Sequence, residues 1–284
     1  EDVHVAAPEA VGIDGFGARR GRPGWRWRRC RPVGFFELAP ENWAGMGGRS
    51  ARQLRAFTER YPFVCHGLSL SLGGMLPLDV DLLKQTRAFM ASHGIRLYTE
   101  HLSWTNDAGQ LYDLLPLPCT HEAVRWTAAR IRQAQDVLGM RIGIENASTY
   151  VAPPGAEMSE AEFIRAVVHE ADCLLHLDVN NILGNARDSG FAPLGFLHQL
   201  PLDRACYIHV AGHHTEPDGL VIDTHGAGVI IDVWNLLEAA YRRAGVLPTC
   251  LERDFNFPPL AELGLEVAQI ARLQAQAGMT RAAA

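Results

Sequence analysis

Short apolar runs alternate along this chain with longer segments in which apolar residues recur every three or four positions. Nearly continuous apolar runs are typical of strands buried on both faces, whereas the spaced pattern is typical of amphipathic helices. The runs predict eight strands, at residues 11–13, 33–38, 64–70, 95–102, 141–145, 174–179, 205–210 and 248–251. The spaced pattern predicts helices at residues 50–61, 82–93, 121–138 and 232–244, a helix opened by the capping box Ser159/Glu162 and ending near Ala171, and a last helix after Pro259.

Strands that alternate with helices favour a parallel sheet, and eight such units predict a closed (β/α)₈ TIM barrel built as a single domain over residues 1–284. The first unit is irregular, because residues 14–32 are rich in Gly, Arg, Trp and Pro and lack a helical pattern. Seven of the residues from 19 to 31 are arginines. We interpret this segment as a solvated loop; the alternatives are a binding face for an acidic partner and a stretch read out of frame.

Composition narrows the choice of partners and compartment. With 26 basic and 32 acidic residues the formal net charge is −6, without the basic excess that nucleic-acid binding needs. The chain has no run of about 18 apolar residues, and its N-terminus lacks the basic and apolar regions of a secretory signal. The six cysteines lie at least 33 residues apart, which excludes a local CxxC motif and favours buried thiols in a reducing compartment. We therefore expect a cytoplasmic protein that binds neither nucleic acid nor membrane.

Acidic, amide and imidazole side chains stand at the ends of seven of the predicted strands. In chain order they are Glu37 with Glu41 and Asn42, His66, Glu100 with His101, Glu145 with Asn146, Asp178 with Asn180 and Asn181, His209 with His213, and Glu252 with Asp254, and a loop adds Asp223 and His225. Active sites of TIM barrels lie at the C-terminal ends of the strands, so these side chains should converge. Several carboxylates gathered in a confined space repel each other unless protons or cations compensate, which predicts divalent metals.

The donor types narrow the choice of metal. Imidazole, carboxylate and amide groups without a thiolate suit iron, manganese or zinc. One ion takes about four to six ligands and about ten groups are available, so two or three ions are expected. Glu145, central in the strand order, is the candidate to bridge them. The residues themselves leave redox and hydrolytic chemistry both open.

Eight sequence strings, taken together and in order, carry a family resemblance. They are FFELAPENW, HGLSLSLGG, YTEHLSW, GIENAS, HLDVNN, IHVAGH, DTHG and LERDFNFP, and the resemblance that they carry spans about residues 33 to 273. They resemble the multinuclear non-haem iron-dependent oxidative enzymes related to the oxygenase component of methanobactin biosynthesis. The resemblance implies a xylose-isomerase-like barrel, two or three iron ions in mixed Fe(II)/Fe(III) valence, O₂ as co-substrate, and oxidative modification of a cysteine or nearby residue in a ribosomally made peptide. The chain departs from this pattern at VGIDGFGARR, where such enzymes usually read GxGLR.

The resemblance also implies roles for individual residues. His66, His101 and Glu145 would bind a first iron, and Glu145, Asp178, His209 and Glu252 a second, which makes these six the catalytic set. Asn181, Asp223 and His225 would form a third metal position. Glu41, Asn42, Asn146, His213 and Asp254 would orient the ligands or contact the substrate.

The expected partners are a cysteine-containing precursor peptide and a small protein or leader-recognition domain supplied in trans, since the chain ends in an alanine tail. Two alternatives use the same barrel: a divalent-metal sugar isomerase and a trinuclear metal hydrolase. Sugar isomerases of this kind use a lysine at the metal site, but the single lysine of this chain, Lys84, lies in a helical pattern. A DNA-cleaving hydrolase would want a basic face. A third alternative is a non-catalytic metal-binding or scaffold protein, which would need every coordination position closed.

Overall fold

The computed structural model describes residues 3–6, 33–106 and 109–282. Its strands are β1 (Val3–Ala6), β2 (Phe35–Leu38), β3 (Phe63–Gly67), β4 (Tyr98–His101), β5 (Trp104–Asn106), β6 (Gln110–Leu115), β7 (Gly143–Glu145), β8 (Leu174–Asp178), β9 (Ala205–Ala211), β10 (His214–Thr215), β11 (Val221–Ile222) and β12 (Thr249–Glu252). Its α-helices are α1 (Gly48–Thr58), α2 (Val80–His93), α3 (His121–Leu138), α4 (Glu160–Ala171), α5 (Val179–Ser189), α6 (Pro193–Leu197), α7 (Ile231–Ala244) and α8 (Leu260–Ala282).

Eight of these strands close a barrel in the order β1-β12-β9-β8-β7-β4-β3-β2. Neighbouring strands from β2 round to β12 are parallel. The TIM-barrel fold class is thereby confirmed, with seven parallel strands among the described residues. The eighth position differs from the expected parallel strand, because β1 fills it and runs antiparallel to both β2 and β12. The predicted strand at residues 11–13 and the segment 14–32, with its arginines, lie outside the described residues.

Capping residues set the ends of the helices. The Asp79 carboxylate accepts the N–H groups of Asp81 and Leu82 at the start of α2, and Gly94 ends that helix with φ +68°. At the start of α4, Ser159 and Glu162 form the reciprocal capping box that the sequence predicts. Such caps fix where each helix packs against the barrel.

Alternation along the strands separates the core from the barrel interior. Ile144 and Leu175 are fully buried and belong to one hydrophobic cluster with Ile131 of α3 and Val167 of α4. Because successive side chains of a strand point to opposite faces, the residues that alternate with these core positions point into the barrel. None of the described helices has the length and apolarity that crossing a bilayer requires.

Candidate metal centre

The Glu145 carboxylate lies in the middle of a buried cluster at the C-terminal end of the barrel. Its Oε2 atom is 3.0 Å from His66 Nε2 and 3.4 Å from His101 Nε2. Its Oε1 atom is 3.5 Å from His209 Nδ1. Imidazoles from β3, β4 and β9 therefore face both oxygens of one carboxylate, an arrangement from which that carboxylate can bridge two cations.

His66 and His101 stand side by side, with their Nε2 atoms 3.2 Å apart. The other ring nitrogen of each histidine is engaged elsewhere. His101 Nδ1 is 3.0 Å from the carbonyl oxygen of Gly67, and His66 Nδ1 is 2.7 Å from Thr99 Oγ1. A carbonyl can only accept, so His101 carries its proton on Nδ1 when neutral and presents a lone pair on Nε2. That lone pair is directed toward Glu145, so it is available to a cation that the Glu145 carboxylate also binds.

Asp178, His209 and Glu252 form a second group, with one donor atom of each within 4.8 Å of the others. His209 Nδ1 lies 3.0 Å from Glu252 Oε1. Asp178 Oδ1 accepts the backbone N–H of Asn181 at 2.7 Å and so caps α5. Since α5 starts where β8 ends, this cap also fixes the orientation of the carboxylate. The six residues expected to form the catalytic set are thus brought together.

The predicted third position is partly assembled. His225 Nε2 is 2.8 Å from Asp223 Oδ1 and 3.6 Å from Glu252 Oε2, while its Nδ1 is 2.9 Å from Asp254 Oδ2. His225 has φ +49°, a left-handed conformation that costs a non-glycine residue roughly 1 kcal/mol. Asn181 donates from Nδ2 to the Asn146 carbonyl at 3.2 Å. Asp223 and His225 are therefore paired with each other beside Glu252.

The residues expected to orient ligands occupy three separate places. Asn146 donates from Nδ2 to the Asp178 carbonyl and accepts the Asp178 N–H on Oδ1, so it ties the end of β7 to the end of β8. His213 Nδ1 is 2.7 Å from Asn180 Oδ1, and Asn180 Nδ2 donates to Asp223 Oδ1 at 2.8 Å. Asn146 therefore fixes the backbone of Asp178, and Asn180, which also contacts His213, fixes the carboxylate of Asp223.

Glu41 and Asn42 lie in a 3₁₀ turn, Pro40–Asn42, directly after β2. Glu41 Oε1 accepts the backbone N–H groups of Leu68 at 2.7 Å and Ser69 at 3.1 Å. Burial and the negative charge of Glu100 raise the Glu41 pKa to about 7. Asn42 donates its own backbone N–H to Ala39. Glu41 is therefore a carboxyl group held in place directly after β2, and with a pKa of about 7 it populates both its protonated and its ionised form at neutral pH.

Two buried residues of the site were not assigned a role by the sequence. His176 groups with His66, Glu145 and His209, and its ring stacks on Tyr207 at 4.1 Å between centroids. Glu37 places both carboxylate oxygens 3.1 Å from His209 Nε2. His176 lies two residues before Asp178 on β8, so the period-two pattern of the strand carried the signal that it faces the same way.

Charge within the cluster is unevenly distributed. Burial alone would raise the pKa of Glu145, but the positive charge that the surrounding imidazoles carry when protonated holds it well below its usual range. Burial, with the negative charges of Glu145 and Glu252, raises the pKa of Asp178 well above its usual range. Burial would lower the pKa of His101, but Glu145 and Glu100 raise it to about 9. Cations placed here would release protons from the imidazoles and from Asp178.

Several buried polar atoms of the site have no hydrogen-bond partner among the described residues. They are Asp178 Oδ2, Asn181 Oδ1, Glu252 Oε2 and both ring nitrogens of His176. Leaving a buried polar group unsatisfied costs about 1–3 kcal/mol. Each of these oxygens, and one of the two His176 nitrogens, can offer a lone pair to a cation. The residues present therefore fit a metal centre.

A half-open cavity of about 190 Å³ adjoins the centre at Asn146 and Ala147, which directly follow Glu145. Its walls include the apolar side chains of Leu102, Leu117 and Phe163. An apolar cavity of about 150 Å³ can hold a benzene-sized group, so this one has room for a single large side chain. Glu160 also lines it, and burial raises the Glu160 pKa to about 7.

The chain is similar in sequence to a known protein family and to individual relatives. A family model described as "RiPP precursor modification enzyme MbnB/TglH/ChrH" matches residues 15–275. A UPF0276 protein of Nitrosospira multiformis is 58% identical over 244 residues, which cover 86% of this chain and 86% of that protein. A UPF0276 protein of Neisseria gonorrhoeae is 53% identical over 249 residues, covering 87% of this chain and 89% of that one.

Solved structures with similar folds are distant in sequence. A D-tagatose 3-epimerase-like protein has a TM-score of 0.55 at 13% identity, covering 86% of this chain and 89% of its own. A xylose isomerase-like TIM barrel protein from Mycobacterium smegmatis, in complex with magnesium, has a TM-score of 0.56 at 13% identity, covering 82% and 80%. At these identities the likeness shows the fold, a xylose-isomerase-like TIM barrel.

Proposed function

The chain belongs to the MbnB/TglH/ChrH family of RiPP precursor modification enzymes, and on this premise we propose that it is an iron- and O₂-dependent oxidoreductase that modifies a cysteine, or a residue beside it, in a ribosomally synthesised precursor peptide. The observation that carries this proposal is the buried cluster around Glu145. It combines His66, His176 and His209 with a carboxylate, while Cys250 groups with Glu37 and His209 in a separate set. Such a donor set suits iron and can accept a substrate thiolate as its one soft ligand.

We assign two or three ions to this cluster. His66 and His101 would hold a first iron together with Glu145. Glu145, Asp178, His209 and Glu252 would hold a second iron, and Asn181, Asp223 and His225 a third. The support is that His66 and His101 lie 3.0 and 3.4 Å from Glu145, that Asp178, His209 and Glu252 have donor atoms within 4.8 Å of one another, and that Asp223 pairs with His225. Carboxylates so deeply buried also need cations to balance them.

When bound, iron in mixed Fe(II)/Fe(III) valence would supply one-electron chemistry toward O₂, with the remaining electrons coming from the oxidised peptide, and a Lewis-acidic position that binds a thiolate and favours its ionised form. The protein's own residues position the metal ligands and take up the proton of the substrate thiol. Glu145 holds the histidines of β3, β4 and β9 at fixed distances. Asn146 locks the Asp178 backbone, and Glu41 presents a carboxyl group with a pKa of about 7 as a substrate contact able to take up the thiol proton.

The peptide would approach across the mouth of the barrel. The cavity beside Asn146 takes one large side chain of the substrate in this proposal, because Asn146 and Ala147, which line it, directly follow Glu145. A small leader-binding protein in trans is part of the same proposal and rests on the family membership.

The sugar isomerase alternative is disfavoured by the place of the one lysine. Lys84 pairs with Asp81 on α2 at 3.0 Å, and its side chain is 65% exposed. It therefore cannot serve as a lysine at the metal site. A metal hydrolase would use the same ligands with zinc, so metal identity separates that alternative from an oxygenase.

The proposal is tested by metal content and by a thiolate probe. Protein purified without chelator should carry two or more iron ions per chain by elemental analysis. Anaerobic addition of N-acetylcysteinamide should give a visible thiolate-to-Fe(III) charge-transfer band, and N-acetylserinamide should not, because its hydroxyl stays protonated near pH 7. Fully active protein that holds only zinc, or equal spectra with both probes, would contradict the proposal.

Two variants sharpen this test. Glu145→Gln keeps the size of the side chain but removes the charge shared by two ions, so iron content and the band should both be lost while circular dichroism is unchanged. Lys84→Ala should retain both. A large loss of activity in Lys84→Ala would favour the isomerase.

A further inference from the structure

Glu37 is a buried carboxylate that the metal assignment leaves without a role. It lies on β2 between Phe36 and Leu38, which pack in the hydrophobic cluster, so its own side chain alternates into the barrel. It is 0% exposed. Burying a carboxylate this fully is costly unless strong hydrogen bonds compensate, which makes its partner informative.

That partner is His209, on the far side of the barrel interior. Strands β12 and β1 separate β9 from β2 in the barrel order, so the contact crosses the interior instead of linking adjacent strands. Both Glu37 oxygens lie 3.1 Å from His209 Nε2, and the Tyr207 hydroxyl lies 2.8 Å from the same nitrogen. The opposite nitrogen, Nδ1, faces Glu252 at 3.0 Å and Glu145 at 3.5 Å.

Both ring nitrogens of His209 therefore face carboxylates, which can only accept hydrogen bonds. With a cation held among Nδ1, Glu145 and Glu252, Nδ1 would give its lone pair to that cation, so the proton would lie on Nε2, which faces both Glu37 oxygens. In a neutral imidazole the other nitrogen then holds the lone pair. That nitrogen is the one directed at Glu145 and Glu252, where the second ion of the proposed centre lies.

We propose that Glu37 is a positioning residue: by accepting the Nε2–H of His209 it fixes the tautomer and ring orientation in which Nδ1 is a metal ligand. This inference rests on the proposed metal centre, but not on iron, O₂ or the peptide. Outer carboxylates of this kind are worth about 10–100-fold in metal affinity, because they orient the ligand and raise its basicity.

The direct test is the tautomer of His209 in protein loaded with zinc, which is diamagnetic and performs no redox chemistry. Long-range ¹H–¹⁵N NMR of histidine-labelled protein should show His209 protonated on Nε2 and metal-bound through Nδ1. Tyr207→Phe, which removes the hydroxyl 2.8 Å from Nε2, should leave that pattern unchanged. Protonation on Nδ1 in the wild-type protein would overturn the inference, as would loss of the pattern in Tyr207→Phe with its persistence in Glu37→Gln.

A second test of the role of Glu37 measures the affinity of the protein for zinc. In Glu37→Gln, which removes the charge and adds a competing amide donor, zinc affinity measured by chelator competition should fall 10–100-fold. Leu38→Val, the neighbouring change on β2, controls for general loosening of the strand and should retain wild-type affinity. Unchanged affinity in a folded Glu37→Gln protein would refute the role. A failure of the iron or peptide proposals would leave these zinc measurements intact, so the two can be told apart.

Discussion

His176 shows how much a single buried residue can reveal about this centre. Its ring is fully buried, stacks on Tyr207, and lies edge-on to His209 at 3.9 Å between centroids. Burial and the neighbouring His209 hold its pKa well below the ordinary value, so the ring is neutral. A neutral imidazole with both nitrogens lacking hydrogen bonds among the described residues is destabilising unless a cation or a ligand uses a lone pair.

We therefore predict opposite effects of His176→Phe on the metal-free and metal-loaded protein. Phenylalanine keeps the stacked ring and removes the unsatisfied nitrogens, so metal-free protein should melt higher, by roughly 2–4 °C for each kcal/mol recovered. Metal content should fall. Calorimetry and elemental analysis check both, with His214→Phe on the exposed strand β10 as control. Undiminished metal content would reduce His176 to a packing residue.

At this scale the sequence predicted the residues at the ends of strands, including Glu37, to which it gave no role, and missed His176, which stands before the end of β8. Asp178 and Glu252 close apolar runs and are visible as polar residues at a boundary. His176 interrupts an apolar run from within, and only knowledge of which face points inward separates a site residue there from an isolated buried polar group. That knowledge requires the register of the barrel.

Among the elements, helix α4 begins with a strong capping box but carries a half-buried carboxylate, Glu160, at its first position. Glu160 is the first residue of α4 and is half-buried against the cavity beside Asn146. Burial raises its pKa from 4.5 to about 7, against a smaller opposing hydrogen bond from Asn185. The folded state therefore binds a proton that the unfolded chain releases between these two pH values.

Ionisation of Glu160 should make the folded protein less stable as the pH rises. An acid whose pKa is raised on folding contributes stability that is full below pH 4.5 and is lost as the pH rises through about 7. Glu160→Gln cannot ionise, so it should match the wild type at pH 4.5 and unfold at higher denaturant than the wild type at pH 8. Glu122→Gln, in the first turn of α3, is the matched control. A difference that does not grow with pH would contradict this account.

The elements that the sequence predicted are those with strong local signals. Helix α3 has the predicted bounds, and the capping box of α4 is confirmed. Helix α5 was missed, because Asn180, Asn181 and Gly184 are weak helix formers, and its start depends on the Asp178 cap. The hairpin of β5 and β6 was missed because its strands pair only with each other, outside the barrel.

For the whole molecule, the barrel sets the site by bringing distant strands into one ring. The alternation of strands and helices was enough to predict that ring, because right-handed parallel units pack in few other ways. It could not predict how the ring closes. The sequence of β1, VHVA, is short and interrupted by His4, so it gives neither an apolar run nor a direction.

Closure by β1 leads to a prediction about the site itself. Val5 pairs with Phe36 of β2 and with Leu251 of β12, so one residue joins the two strands that carry Glu37 and Glu252. Val5→Pro removes a backbone donor from this antiparallel seam. Because an unpaired buried carbonyl costs about 1–3 kcal/mol, the seam should open locally before the rest of the barrel unfolds.

Hydrogen exchange and metal content measure that opening together. In Val5→Pro, amides of β2 and β12 should lose protection while those of β7, on the opposite side of the ring, keep theirs. Metal content should fall as Glu252 gains freedom of movement. Thr215→Pro, in strand β10 outside the barrel, should change neither quantity. If protection in β2 and β12 were unchanged by Val5→Pro, the barrel would hold its metal ligands without the antiparallel strand, and the seven parallel strands would suffice to shape the site.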